Sequence, residues 1–344
     1  SPGDRKTVVR SSFGLFYDRI PLRATSNALQ RDGTKYRTAI LPFGAPAAPV
    51  FPAVLPAFPS GLLASVTNID RNIRNSYSVQ AAIQAERQIG AATSISVGYQ
   101  HLRGIHILMS RNINVPVLSA ADATRLNVFN LGRPDPRFAN VSQYESAGDS
   151  YFDGLTVSVN HRPAGWASVR LSYTFSKSID DAGNAFFSTP QNNFNLRDDR
   201  GLSLNDQRRR LSFSGVLQSP NKMLLRGFET SFIFAYASPL PFNVQTGTDR
   251  NNDTNINDRP VGLGRNTGVG FPSASLDVRV SRMFHWRERV GIETLAEAFN
   301  ILNHTNLQLP NGNFGPGLVP APGFGVATAA GDSRQLQLGL RIGF

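Results

Sequence analysis

Residues 334–344 read Arg334-Gln335-Leu336-Gln337-Leu338-Gly339-Leu340-Arg341-Ile342-Gly343-Phe344. Leu336, Leu338, Leu340, Ile342 and Phe344 take every second position, and Gln335, Gln337, Gly339, Arg341 and Gly343 the positions between. A period of two without exception marks a β-strand with one apolar face and one polar or bare face, because successive Cβ atoms leave an extended chain on opposite sides. One such strand also suits a half-buried soluble sheet. The deciding fact is that the pattern recurs along the chain.

Ten segments alternate in this way: 7–17, 74–89, 93–102, 150–162, 166–176, 207–217, 227–237, 274–284, 289–300 and 334–344. In the second, Tyr77, Val79, Ala81, Ile83 and Ala85 alternate with Ser78, Gln80, Ala82 and Gln84. In the fifth, Ala167, Val169, Leu171, Tyr173 and Phe175 face one way and Ser168, Arg170, Ser172, Thr174 and Ser176 the other. An eleven-residue strand rising about 3.3 Å per residue and tilted by about 45° spans roughly 25 Å, the height of the apolar band of a membrane barrel.

Composition agrees with strands and turns: 30 Gly, 22 Pro, 23 Phe and 17% charged residues in 344. With no Cys, a disulfide framework and thiolate metal sites are excluded, and an oxidising envelope compartment is compatible. No uninterrupted apolar run reaches the length of a membrane-spanning helix. The nearest stretch, 39–64, is cut by Pro42, Pro46, Pro49, Pro52, Pro56 and Pro59 and reads as a polyproline-like loop. The net charge is +11, and 31 of the 35 basic residues are Arg. These arginines are scattered, without an aromatic-interleaved stripe, which argues against a nucleic-acid partner. Bidentate contacts to an anionic lipid, such as the phosphates of lipopolysaccharide, account better for Arg-rich loop rims.

Connection length separates a soluble sandwich from a barrel in lipid. Counted back from the carboxy-terminus, the connections on one side are 90–92, 163–165, 218–226 and 285–288. On the other side they are 18–73, 103–149, 177–206, 238–273 and 301–333. Long loops are uncommon in compact soluble domains, whereas short periplasmic turns with long outer loops are the known asymmetry of outer-membrane barrels. The reading is therefore an all-β, antiparallel transmembrane β-barrel in the bacterial outer membrane, with ten strands here, or twelve if Val141–Ser146 belongs to an extra hairpin above the membrane. Polar inward residues such as Arg10, Arg170, Arg279 and Arg341 face the lumen, and Tyr17, Tyr77, Phe175 and Phe284 serve as interfacial girdle residues. Phe344 is the aromatic carboxy-terminus expected of a signal to the barrel-assembly machinery.

The residues also resemble a family. Val9-Arg10-Ser11-Ser12-Phe13-Gly14-Leu15-Phe16-Tyr17-Asp18-Arg19 is similar to a barrel strand of Oar-like TonB-dependent receptors. In the same order follow Arg111-Asn112-Ile113-Asn114, Ser172-Tyr173-Thr174-Phe175-Ser176-Lys177-Ser178-Ile179-Asp180-Asp181, Arg200-Gly201-Leu202-Ser203 leading to Arg208-Arg209-Arg210, Asn257-Asp258-Arg259-Pro260, and Glu297-Ala298-Phe299-Asn300-Ile301-Leu302-Asn303-His304-Thr305-Asn306. The resemblance implies a 22-stranded barrel, an amino-terminal plug domain and a TonB box. It implies uptake of an extracellular solute, with TonB as the partner that engages the amino-terminal region. The chain opens Ser1-Pro2-Gly3-Asp4-Arg5 with no initiator Met and no apolar leader. Residues 1–344 are thus expected to be the carboxy-terminal portion of such a barrel, with the plug and the first strands lying outside it.

Two loop constellations are candidate sites. Asp249, Asn251, Asp253, Asn255 and Asp258 place oxygen-bearing side chains at near-alternate positions, as a hard cation such as calcium requires. Against an EF-hand loop the pattern departs twice, with Thr254 at the Gly position and Pro260 at the bidentate Glu position. The plainer account is an Asn/Asp turn whose side chains bond their own backbone. Asp180, Asp181, Asp198 and Asp199, with Asp206 and the following Arg208, form an acidic group for ligand contact in the 177–206 loop, or an internally salt-bridged lid. No other cofactor is expected.

Catalysis has little support in the sequence, since none of the five His lies in a metal-binding spacing. His304 with an outer-loop Asp would imitate the rims of ten-stranded outer-membrane proteases, so one alternative is a self-closing ten-stranded barrel with hydrolase activity. Another is a secreted all-β adhesion or binding protein whose apolar stripes pack on a second sheet.

Overall fold

The computed structural model describes residues 6–39, 41, 48–117, 132–163, 165–181, 189–219, 226–251, 253–286 and 290–344. Fourteen strands appear in chain order: β1 (Thr7–Tyr17), β2 (Ala64–Ile69), β3 (Tyr77–Ile89), β4 (Thr93–Asn112), β5 (Phe138–His161), β6 (Ala167–Asp180), β7 (Gly201–Leu202), β8 (Arg209–Gln218), β9 (Phe228–Ala237), β10 (Pro241–Phe242), β11 (Gly268–Val269), β12 (Ser273–Trp286), β13 (Val290–Phe299) and β14 (Gln335–Gly343). Ten of them form one continuous antiparallel path, β1-β3-β4-β5-β6-β8-β9-β12-β13-β14; β2 joins in parallel beside β5, and β7 beside β6. These ten are the strands expected from alternation. β1 and β14 stand at opposite ends of the path and do not pair with each other. The sheet is open, and ten strands do not close on themselves as the protease alternative requires.

Register carries one parity across the whole sheet. Ser158 faces Ser172 and Thr156 faces Thr174, with their hydroxyls 3.0 Å apart in both pairs. On this face Arg10 reaches Glu86 at 3.0 Å. Further along, Arg279 reaches Glu293 at 2.8 Å and Glu297 at 3.6 Å, while Arg341 approaches Glu293 at 3.4 Å. The opposite face carries Val159, Leu171 and Phe213 in one row and Val157, Tyr173 and Leu211 in the next. Such a face offers no hydrogen bond to water and suits hydrocarbon. Aromatic side chains stand along it, Tyr173 and Phe213 near mid-strand and Tyr17 and Phe284 near strand ends. Tyr17 stacks on Tyr77 at 5.4 Å, and the Arg282 guanidinium lies 4.7 Å from the ring centroids of both Phe228 and Phe284.

Two features depart from the expected layout. β4 and β5 run on to Asn112 and back from Phe138, so Val141–Ser146 extends the existing hairpin rather than adding one. The extension bends at a register shift between Gly104 and Ile107, where His106 takes φ 59°. It lacks a two-residue period because loops cover both of its faces: Met109 and Asn112, of opposite parity, are 3% and 4% exposed. The second departure is a helix, α1 (Leu22–Gln30), inside the first long loop. No side chain caps it; tertiary contacts hold it instead. Ala24 packs with Leu108 and Tyr144, and Asn27 donates to the Tyr144 hydroxyl at 2.9 Å.

If the apolar parity faces lipid, Leu171→Arg in the intact barrel costs about 2–4 kcal/mol and Ser172→Arg far less. Urea unfolding in phospholipid vesicles measures the difference. Equal costs for the two neighbours contradict the assignment.

Candidate functional site

The long outer loops make a layer whose interior is mostly polar side chains. Asn114, Asn266, Thr246 and Asp253 are its largest fully buried side chains. Buried polar atoms are tolerated only when partnered, and here Asn266 and Asp253 link loop to loop while Asn114 and Thr246 brace their own loops. Asn114 Nδ2 donates to the carbonyls of Asp135 and Phe138 at 3.0 Å and of Ala139 at 2.9 Å, which fixes the return of the chain into β5. Asn112 Oδ1 accepts from the Asn114 and Val141 amides at 3.0 and 3.1 Å, while its own amide donates to Asn193 Oδ1 at 2.9 Å. Asn193 Nδ2 passes the chain of bonds to Asp253 Oδ2 at 2.6 Å. Three loops thereby meet at Asn193.

Two buried ion pairs lock the 177–206 loop to the 238–273 loop. Arg259 Nη1 meets Asp199 Oδ1 at 2.6 Å, with the two side chains 5% and 9% exposed, and Arg259 Nη2 donates to the Asp198 carbonyl at 2.9 Å. Arg265 pairs with Asp180 and donates as well to the carbonyls of Asp180 and Asp199. Asn266 Nδ2 adds a bond to the Leu202 carbonyl at 2.6 Å. The expected acidic group does not converge on one point. Asp180 and Asp199 each take an Arg from the other loop. Asp198 accepts from the amides of Asn192 and Asn195 at 2.9 and 2.7 Å, Asp181 from the Asp149 main chain at 2.6 Å, and Arg208 pairs with Asp206 at 2.8 Å. Burial raises the pKa of Asp181.

In the 249–258 loop the side-chain oxygens accept main-chain N–H groups. Asp249 takes those of Asp253 and Thr254, Asn251 that of Asp253, Asp253 that of Asn255, and Asp258 those of Arg250 and Asn251. Thr254 adopts φ 77° at the position where an EF-hand has Gly. Among the described residues no three of His, Asp and Glu form a group that could hold a metal ion. His304 Nδ1 lies 3.1 Å from Asn306 Oδ1, not from an aspartate.

Two spaces could receive a solute. A cavity of about 360 Å³ lies between the loops, bordered by Asp181, Gln191, Asn257, Arg259, Arg265 and Asn266. A groove of about 480 Å³ runs along the inward face of the sheet, past Arg170, Ser214, Ser231, Asp277, Arg279 and Glu297. The cavity between the loops is walled mainly by hydrogen-bonding groups, with Arg259 and Arg265 already paired, whereas the groove sets its polar groups among apolar ones such as Val216, Ile233 and Phe299. Sequence reasoning assigned no role to Asn112, Asn114, Asn193, Arg259, Arg265 or Asn266. Asn112, Asn114 and Arg259 do lie within motifs that carry the family resemblance, so the signal was present without its mechanism.

Removing Arg259 strands Asp199 in a buried place, so Arg259→Ala is expected to destabilise the loop layer by about 3–5 kcal/mol. Limited proteolysis should then cut 177–206 and 238–273 while the strands stay protected; an unchanged cleavage pattern counts against the lock. Burial also raises Asp253 from 3.8 to about 6. A carboxyl raised in the folded state stabilises most below its unfolded pKa, and that contribution is lost as pH rises through the folded value. Amide-exchange protection of the 249–258 loop should therefore fall between pH 4 and pH 6, and Asp253→Asn should flatten this dependence.

A family profile for the outer membrane beta barrel domain matches residues 1–263 and 262–337. No curated protein matches the chain. Among solved structures it is similar to the outer membrane transporter YddB from Escherichia coli, with 11% identity and a TM-score of 0.60, covering 99% of this chain and 39% of that one. It is also similar to the ferric enterobactin receptor PfeA from Pseudomonas aeruginosa, with 13% identity and a TM-score of 0.56, covering 99% and 38%. A third is P. aeruginosa FpvA bound to heterologous pyoverdines, with 11% identity and a TM-score of 0.52, covering 99% and 31%. The chain thus spans under two fifths of the length of each of these neighbours. With its profile match and its strand order, the chain belongs to the family of outer membrane beta barrel domains and is a protein of the bacterial outer membrane.

Proposed function

We propose that this chain is the carboxy-terminal wall of an Oar-like, TonB-dependent transporter barrel, through which an extracellular solute is taken up. The observation that carries the reading is the open ten-stranded sheet, in a chain 99% of which is matched by 39% of an outer membrane transporter. Unpaired main-chain groups at a sheet edge are not tolerated in lipid. Strands beyond β1 and β14 therefore complete the cylinder, and a plug fills it. In this reading the polar outer layer captures solute, and the inward groove, with Arg170, Arg279 and Glu297 on its wall, lines the path. Phe344 ends the β14 edge fully exposed, where the barrel-assembly machinery can reach it.

Cells with and without the gene test the reading when offered labelled oligosaccharides, peptides and ferric chelates. Uptake of the solute class that depends on the gene is expected to vanish equally when TonB is deleted. Gene-dependent uptake that survives loss of TonB contradicts the proposal, as does a complete absence of gene-dependent uptake.

A further inference from the structure

Four cations lie on the lipid side of the outer rim, spread over three rows of β4, β5, β6 and β8. Across β4, β5 and β6 the last wholly apolar or aromatic outward row is Tyr99, Leu155 and Phe175, and β8 continues it with Arg209. The next row toward the loops is His101, Asp153 and Lys177, and the one beyond it Arg103, Tyr151 and Ile179. Arg200, just before β7, swings over the same Tyr151: its guanidinium carbon is 4.9 Å from the ring centroid, and that of Arg103 is 5.2 Å. Arg103, Lys177, Arg200 and Arg209 are all exposed.

The acids beside them are already engaged. Asp153 accepts from the Tyr99 hydroxyl at 2.6 Å and from His101 Nδ1 at 2.7 Å. Asp181, whose charge Arg200 feels, is tied to the Asp149 main chain. None of the four cations forms a salt bridge with the described residues. One phenol ring thus gathers two guanidiniums, neither of them in a salt bridge among the described residues, although Arg200 feels the charge of Asp181. An anion with several oxygens is the natural complement, since guanidinium forks bind phosphate in pairs.

Position identifies the source of that anion. Each outward row lies about 6.6 Å along the strand from the last, or roughly 5 Å along the membrane normal at a tilt of about 45°. Arg209 therefore sits level with the aromatic row, Lys177 one row beyond it and Arg103 two, with Arg200 over Tyr151, a span that covers the depth of the outer-leaflet headgroups. In the outer membrane that leaflet is lipopolysaccharide. We propose that Arg103, Lys177, Arg200 and Arg209 form a docking site for a phosphate of lipopolysaccharide on the outer wall of the barrel. The assignment depends on the outer-membrane fold and not on transport, so it stands or falls separately from the uptake reading.

The intact barrel, delipidated in detergent, is titrated with phosphorylated lipid A and with its dephosphorylated form, and bound lipid is counted by native mass spectrometry. Arg103→Gln with Arg200→Gln is expected to weaken binding of the phosphorylated form by about tenfold or more. Binding of the dephosphorylated form should not change. Arg10→Gln with Arg170→Gln removes the same charge from the lumen face and should leave binding intact, while Arg103→Lys with Arg200→Lys should retain most of it. If the first pair does not fold, Lys177→Gln with Arg209→Gln leaves the Tyr151 contacts in place and carries the same expectation. Unchanged binding in the rim variants, an equal loss in the lumen variant, equal affinity for dephosphorylated lipid, or displacement by millimolar inorganic phosphate each overturns the proposal.

Discussion

The structure depends on one constraint: inside hydrocarbon every main-chain N–H and C=O must find a partner within the protein, and every side chain facing outward must do without water. An antiparallel sheet meets the first demand through its ladder, and strict alternation meets the second. Both are visible in β6, where Leu171 and Tyr173 lie on one face and Ser172 and Thr174 bond across strands on the other. The hydrophobic effect ordinarily builds a core by excluding water from the inside. Here it works outward, so the apolar residues are the exposed ones.

Once the strands leave the bilayer the rule changes, and so does the chemistry that holds the chain. The outer layer buries some apolar side chains, the cluster around Ala24, Leu108 and Tyr144 and others such as Met109, Val115, Phe242 and Val244, but more polar ones. Its order comes from buried amides and ion pairs: Asn114 fastening the start of β5, Asn193 bridging to Asp253, and Arg259 and Arg265 holding the aspartates of a neighbouring loop. Such networks are costly if one member is lost, because the remaining polar groups stay buried without partners. They also fix the loops in a specific arrangement.

This division explains what the sequence made legible. Ten strands and the parity of their connections could be read directly, because lipid enforces a period of two and the membrane enforces a length. The extensions of β4 and β5 could not, since above the membrane both faces of the ribbon are covered and the alternation disappears at Met109, Ser110 and Asn112. Helix α1 was hidden because it has neither a capping side chain nor charges suited to its ends, and rests on Tyr144 and Leu108 from distant sequence. Asp180, Asp198 and Asp199 were legible as an acidic group, but their partners were not, because Arg259 and Arg265 approach from a loop about sixty or more residues away whose fold no local pattern encodes.

The absence of Cys from the chain makes the central claim open to direct measurement. Single Cys residues placed in turn from 168 to 175 along β6 of the intact barrel in bilayers can carry spin labels, whose accessibility to a lipid-soluble and to a water-soluble relaxation agent is then compared. The account predicts a period of two, with positions 169, 171, 173 and 175 in contact with lipid and 168, 170, 172 and 174 in contact with water. Accessibility that does not alternate, or lipid contact at the Ser and Thr positions, contradicts it.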